Sequence, residues 1–464
     1  MHRHGIGSRC GRTWIGLVGA IAAVSILAAA CGGGRSSSND STSTTKAATA
    51  SGFGTMPSPC GKGDAKGATQ QGVTDTSITV GYGDDAGYAA SPGLNKEIAD
   101  AMKAMIKWCN EQGGINGRPV VGKYYDAAIL NHANVMTEAC TQVFMLVGSG
   151  FALDGAGEPT RIGCKLAAVP TYTVSPNFAN AALMIQPTPN PVDYYDAANA
   201  FLIAQKFPDA VKKAGIFEAN FAATIDSADK AKIAYTQAGW NFLDECRLQY
   251  NIAGEANYLP FLQKLKDCGA QVVYFSGSPA PIFQNVLDAA KQLNWNPIWA
   301  TEANAYTDQF AKWNTSGNVD NVYTRMTYYP FEQAAQHPAT AKYIELVKAN
   351  GGAISLLGAQ TAAAFLLWGQ GAKECGSTLT STCVLDTLSK VHSFDAGGLQ
   401  SPTDPGANEP GDCAMVLKLN GTKWEQALPT TIGTQACDPK YLIKLTGAVV
   451  DRAKLDANRI SKPS

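Results

Sequence analysis

The 464-residue chain has almost no charge of one sign to spare: 37 Lys and Arg stand against 38 Asp and Glu, a formal net charge of -1. Without a basic excess there is no field to collect nucleic acid or anionic lipid, so nucleic acid is not an expected partner. No long apolar run exists beyond residues 14–30, which excludes a multi-span membrane protein. Histidine is scarce: past the first turns of the chain only His132, His337 and His392 remain. Metalloprotease H-E-x-x-H, hydrolase G-x-S-x-G and Walker phosphate loops are all absent, so no enzyme, cofactor or metal is expected. No C-x-x-C spacing points to zinc or thiol exchange. No repeat of fixed period exists either. What is present is a chain 45% hydrophobic, long enough for roughly two or three packed cores.

Residues 1–12 carry Arg3, Arg9 and Arg12, and residues 14–30 are apolar or small up to Leu27-Ala28-Ala29-Ala30-Cys31. This is the layout of an export signal. It resembles a bacterial lipoprotein signal cut before Cys31 with the thiol lipidated, although Ala28 stands where leucine is commonest, with Leu27 one place earlier. Acyl chains at about 0.8 kcal/mol per buried CH₂ would hold the protein at the outer face of a membrane. Residues 31–69, rich in Gly, Ser, Thr and Ala, read as a flexible tether.

Twelve cysteines less Cys10 and Cys31 leave ten, an even number in an exported chain, which favours disulfides. Their number alone leaves the pairing open. In a β-α-β unit the start of a strand lies beside the end of the following helix. Cys246 and Cys268 should therefore be neighbours, and Cys140 and Cys164 should share a bottom sheet edge. Cys60 with Cys109 fits the same edge. Sequence proximity then leaves Cys375 with Cys383 and Cys413 with Cys437.

From residue 77 onward, short β-branched runs alternate with helical periods. Strands are expected over 78–81, 120–125, 144–148, 167–173, 214–217, 247–250, 271–275 and 298–301. Leu94, Ile98, Met102, Met105 and Cys109 recur at helical spacing, and Gly113 to Arg118 forms a turn tolerant of positive φ. Such alternation predicts an α/β fold of mostly parallel sheets covered by helices on both faces. Residues 414–426, broken by Asn420-Gly421, read as a β-hairpin. Proline and glycine clusters at 187–191, 328–330 and 395–398 suggest three crossings between two lobes. The expected parts are a signal at 1–30, the tether at 31–69, lobe 1 at 70–188 and 330–395, lobe 2 at 189–329 and 396–437, and a weakly patterned C-terminal tail at 438–464.

Four stretches carry a family resemblance: Gly72-Val73-Thr74-Asp75-Thr76-Ser77-Ile78, Gly113 to Arg118, Gly358-Ala359-Gln360-Thr361-Ala362-Ala363-Ala364, and Phe394 to Leu399. The chain resembles the leucine/isoleucine/valine-binding proteins, substrate-binding lipoproteins of ABC importers with the type 1 periplasmic-binding fold. That implies two Rossmann-like lobes joined by three strands, a small-molecule ligand between them, an ABC permease and ATPase as partners, and a lipid-anchored monomer outside the cell membrane. The Cys140 and Cys164 pair also resembles a disulfide of that family. A ligand-sensing lipoprotein that signals to a membrane partner is the alternative function.

Candidate ligand residues lie where strands end, because ligands of open parallel sheets collect there. Gly81-Tyr82-Gly83-Asp84-Asp85-Ala86 imitates a dinucleotide loop, but Asp84 and Asp85 would repel a pyrophosphate. The segment is instead a cleft loop with Tyr88 near the ligand. Ser149, Gly150, Thr173 and Ser175 are candidate anion binders in loops that hold a ligand carboxylate in the family; simple helix capping explains Ser175 as well. Glu302 aligns with the family's acceptor for an amino-acid ammonium, the alternative being a solvated loop acid. Ser276 and Phe221 mark second-lobe loops that depart from the family, Ser276 lying where relatives place a tyrosine. Small residues there enlarge the pocket and put a leucine-like ligand in doubt; the expected ligand is a small polar organic molecule, an amino acid or amino-acid-like compound, with an amide or carboxylate as the alternative.

Overall fold

The computed structural model describes residues 52–462 except 316 and 318. The export signal, Cys31 and the first part of the expected tether lie outside the described residues. Fourteen strands follow one another through the described chain: β1 (Ile78–Asp84), β2 (Val120–Asp126), β3 (Leu146–Val147), β4 (Ala168–Val169), β5 (Tyr194–Asp196), β6 (Ala214–Ala219), β7 (Phe242–Tyr250), β8 (Val272–Ser276), β9 (Ile298–Thr301), β10 (Val322–Met326), β11 (Cys413–Asn420), β12 (Lys423–Leu428), β13 (Ala436–Cys437) and β14 (Leu442–Lys444). Helices separate most of the first ten, as the β-branched and helical periods require.

Two sheets result. The first has the order β2-β1-β3-β4 and is parallel throughout. The second has the order β12-β11-β10-β9-β8-β6-β7 and is parallel from β7 to β10. The hairpin β11–β12 closes one edge antiparallel. Its two-residue loop is Gly421-Thr422, one place later than expected, with Gly421 at φ +55 where a side chain would be strained.

The chain leaves the first sheet near residue 187, returns near 328 and crosses again near 400. These three segments are laced together. The Thr188 hydroxyl meets the Tyr328 hydroxyl at 2.7 Å and donates to Gln400 Oε1 at 3.1 Å, while Gln400 Nε2 and Thr403 Oγ1 both donate to the Pro187 carbonyl. After the second crossing the helix Leu356–Cys375 runs buried along nearly its whole length against the helix Glu97–Glu111. The first of these helices begins at Glu97, so Leu94, expected in its stripe, precedes it, while Ile98, Met102, Met105 and Cys109 are buried together.

Two expectations about the ends need correction. Residues 52–69 are not a free tether. Phe53 is fully buried with its ring edge-on to Trp108, Gly61 N–H donates to Gly114 O, Ala65 N–H donates to Asn116 O, and Thr69 bonds the Leu379 carbonyl. Composition misled here because small residues can dock by backbone bonds without an apolar period. Residues 438–462 are also built into the body: β14 pairs antiparallel with β5, and the helix Ala448–Ala453 buries Val449 and Ala453 against Ala179 and Val192.

The sulfurs pair as Cys60–Cys109, Cys140–Cys164, Cys246–Cys268, Cys375–Cys383 and Cys413–Cys437, with Cα separations of 5.2, 5.9, 5.8, 6.1 and 4.1 Å. The shared-edge argument thus holds in three dimensions; Cys413 and Cys437 face each other directly in the register of β11 and β13.

Candidate functional site

A cavity of about 110 Å³ opens where the three crossings meet. Thr188, Pro189 and Asn190 come from the first crossing, Thr327 from the second, Ser401 and Thr403 from the third. Tyr172 follows β4, Tyr194, Tyr195 and Asp196 form β5, Arg325 ends β10, and Gln360 projects from the long helix Leu356–Cys375. Both sheets therefore contribute to its walls. A broader, open depression of about 550 Å³ lies against the first sheet alone, beside Tyr82 and Lys103. A solute held there touches one lobe and cannot bias the opening between two.

The register of β9 and β10 sets the charge at this cavity. Thr301 faces Thr324, so the next residues, Glu302 and Arg325, stand side by side. Arg325 Nε and Nη2 donate to Glu302 Oε2 at 3.0 and 2.9 Å. Glu302 Oε1 accepts the hydroxyls of Tyr195 at 2.6 Å and Tyr274 at 3.0 Å. Burial pushes this carboxyl up, but the Arg325 charge and the three donors outweigh it and hold Glu302 below the usual carboxylate range. Both oxygens of the residue expected to take a ligand ammonium are thus engaged inside the chain.

Arg325 Nη1 also donates to the Asp196 backbone carbonyl at 3.2 Å. Asp196 is 2% exposed; its Oδ1 accepts the Ala198 N–H two residues on at 2.9 Å, while its Oδ2 has no hydrogen-bond partner. On two further lining residues Gln360 Oε1 and Ser401 Oγ are likewise unpaired. Beside the cavity Lys230 is held by Asn190 Oδ1 at 2.6 Å, and burial lowers its pKa to about 7.

The expected anion loop is occupied from within. Asp154, fully buried, accepts the N–H of Val174 at 2.7 Å and of Ser175 at 2.9 Å. Ser175 caps the short helix Pro176–Ala179 by accepting the Phe178 N–H, the capping role that competed with ligand binding. The Thr173 hydroxyl is donated to Gln186 Oε1 at 2.7 Å. Ser149 is buried at the end of β3 with its carbonyl bonded to the Thr171 N–H, and a side chain at Gly150 would collide with Tyr172. In the second lobe Ser276 donates to the Thr224 carbonyl at 2.9 Å, and Phe221 packs on the core at the start of the helix Ala222–Gln237. Tyr88 sits half-buried in the loop after β1.

None of the eight ligand residues expected from the sequence lines the cavity; Gly150 touches one of its walls, and Glu302 reaches it through Arg325. Arg325, Asp196 and Ser401 were missed. The run Val322-Tyr323-Thr324-Arg325-Met326 was a strand signal, but it does not say which strand lies beside it, so the pairing of Arg325 with Glu302 was not legible. No local signal marks Asp196 or Ser401.

Among the described residues no group of three or more His, Cys, Asp or Glu side chains is placed to hold a metal, and no helix is long and apolar enough to cross a membrane.

No curated protein matches the chain by sequence. In structure it is similar to the fatty acid ABC transporter substrate-binding protein from Thermomonospora curvata (TM-score 0.65, 14% identity, covering 82% of this chain and 97% of that one). It is also similar to the branched-chain amino acid transporter substrate binding protein LivJ from Streptococcus pneumoniae in complex with isoleucine (0.61, 15%, 75% and 98%). A third neighbour is an ABC transporter solute binding protein from R. palustris in complex with 4-hydroxybenzoate (0.62, 13%, 78% and 97%). A family model described as periplasmic binding protein matches residues 77–423. With two sheets, three laced crossings and three quarters of its length matched, the chain belongs to the periplasmic binding proteins, the extracytoplasmic solute-binding family that serves ABC transporters.

Proposed function

We propose that this protein captures a small polar organic solute, an amino acid or an amino-acid-like compound, in the cavity between the crossings and delivers it to an ABC importer. One observation carries this reading: three residues from three separate chain segments, Asp196, Gln360 and Ser401, line one cavity, and each holds a buried polar atom without a partner, Asp196 Oδ2, Gln360 Oε1 and Ser401 Oγ. An unpaired buried polar atom costs about 1–3 kcal/mol, and three of the residues lining this one cavity hold such an atom, which favours an occupant that supplies partners. The solutes named for the structural neighbours, a fatty acid, isoleucine and 4-hydroxybenzoate, differ in polarity, so the ligand is argued from this cavity and not from the fold.

Because the walls come from both sides of the crossings, a bound solute favours the closed arrangement, and closure offers a permease a surface that the open form lacks. Lipid on Cys31 keeps the body near that permease, and one copy suffices.

Native mass spectrometry of the purified protein, followed by small-angle scattering with and without the solute it retains, tests the proposal. The expected result is a small polar adduct released on unfolding and a more compact particle when it is restored. A protein that retains and accepts no such solute, or that does not compact with it, overturns the reading.

A further inference from the structure

At the cavity one carboxylate oxygen is left without a donor. Arg325, its one cationic wall residue, spends donors on Glu302 Oε2 through Nε and Nη2 and on the Asp196 carbonyl through Nη1. Among the buried atoms without partners in the lining residues, the carboxylate oxygen Asp196 Oδ2 and the amide oxygen Gln360 Oε1 accept, while the Ser401 hydroxyl can donate or accept. An ionised carboxylate only accepts. The nearest cationic nitrogen, Arg325 Nη1, is 3.8 Å from Asp196 Oδ2, beyond hydrogen-bond reach. Asp196 cannot swing to improve this, because Oδ1 is tied to the Ala198 N–H.

We propose that Asp196, in place of the saturated Glu302, is the specificity-determining acceptor of this cavity, and that the solute presents to it an N–H donor, an ammonium or an amide. This deepens the solute-capture reading above and rests on it. Tyr194 and Tyr195, the two residues before Asp196, supply aromatic wall on the same strand. The residues that hold these atoms come from β5, from the helix Leu356–Cys375 and from the third crossing and line the same cavity, so a solute bound there touches segments on both sides of the hinge. Burial raises the Asp196 carboxyl to about 7, against the pull of Arg325, the direction expected of a carboxylate whose donor is supplied by a ligand.

The informative variant is Asp196→Asn. Asparagine keeps an oxygen for the Ala198 N–H, but turns the second oxygen into an NH₂ donor. Three probes of similar size separate the possibilities by titration calorimetry on the purified full chain at pH 8: n-propylamine, propionamide and propionate. The expected result is that the wild-type chain binds propylamine or propionamide in preference to propionate, and that Asp196→Asn weakens that binding at least tenfold while leaving or improving propionate. The relative strength of amine and amide says which N–H donor the site prefers. Donor probes that bind both proteins equally overturn the role of Asp196 and leave solute capture standing. A wild-type chain that prefers propionate, or binds none of the three, overturns the donor assignment; a retained solute in the mass spectrum then still upholds capture, and its absence removes both. Unfolding temperatures of the two ligand-free proteins that agree within a few degrees show that the variant is folded.

Discussion

Arg325 on β10 and Glu302, the residue just past the end of the adjacent parallel strand β9, meet with two guanidinium nitrogens within 3.0 Å of one carboxylate oxygen, while Tyr195 and Tyr274 bond the other. Each side chain is about one fifth exposed. Such a pair contributes little net stability as a pair, but removing one partner leaves the other as an uncompensated charge. Arg325→Met is therefore expected to cost about 3 kcal/mol. Urea denaturation checks this, and Arg325→Met combined with Glu302→Gln should recover part of the loss. A single variant as stable as the wild type would show that water, not Arg325, balances Glu302.

Asp154 makes a pH prediction. Burial raises its carboxyl from the ordinary value to about 7, in spite of the N–H groups of Val174 and Ser175. A raised acid binds its proton more tightly in the folded chain than in the unfolded one, so its contribution to stability is present below about pH 4 and is lost as pH rises to about 7. Asp154→Asn, which cannot ionise, should flatten that part of the stability curve. Thermal unfolding between pH 4 and 8 measures it; the same slope in both proteins would count against the shift.

The five disulfides all lie in the described body. Peptide mapping without reduction should return those five links and no free body thiol. Replacing Cys246 and Cys268 together with alanine opens a loop of 22 residues and should cost about 3 kcal/mol on the loop-entropy account. Free thiols at two or more of the ten positions in the exported protein would defeat the pairing.

The C-terminal segment ties elements from both sides of the crossings. Arg459 clamps both oxygens of Asp193 at 2.6 and 3.0 Å, donates to the carbonyls of Ala407 and Asn408, and lies over the Tyr194 ring. Two residues on, Ser461 donates to the carbonyls of Asn177 and Asn180. Arg459→Ala leaves the nearly buried Asp193 carboxylate without its cation, and a loss of about 2–4 kcal/mol is expected. Hydrogen exchange should rise at 176–196 and 404–410 and stay unchanged in β6 to β9. Uniform protection in the variant would mean that the segment is packed on the surface without bracing it.

What the sequence determined by itself is the part of this protein governed by local periodicity. Alternating β-branched and helical runs specify parallel sheets wherever they occur; eight expected strands fall on β1 to β4 and β6 to β9, and the hairpin on β11 and β12. Proline and glycine mark the crossings because they interrupt those periods, and an even set of cysteines near shared sheet edges was enough to suggest their partners. The cavity's chemistry was not legible in this way. Glu302 and Arg325 are 23 residues apart and Arg325 and Asp196 are 129 apart; only the order of strands in the sheet makes them neighbours. Asp154 fills an anion loop 20 residues downstream through backbone N–H groups that carry no residue identity. Whether a carboxylate is saturated or left open depends on which donors the folded chain brings within 3 Å, and tertiary structure alone decided that Glu302 is closed and Asp196 is not.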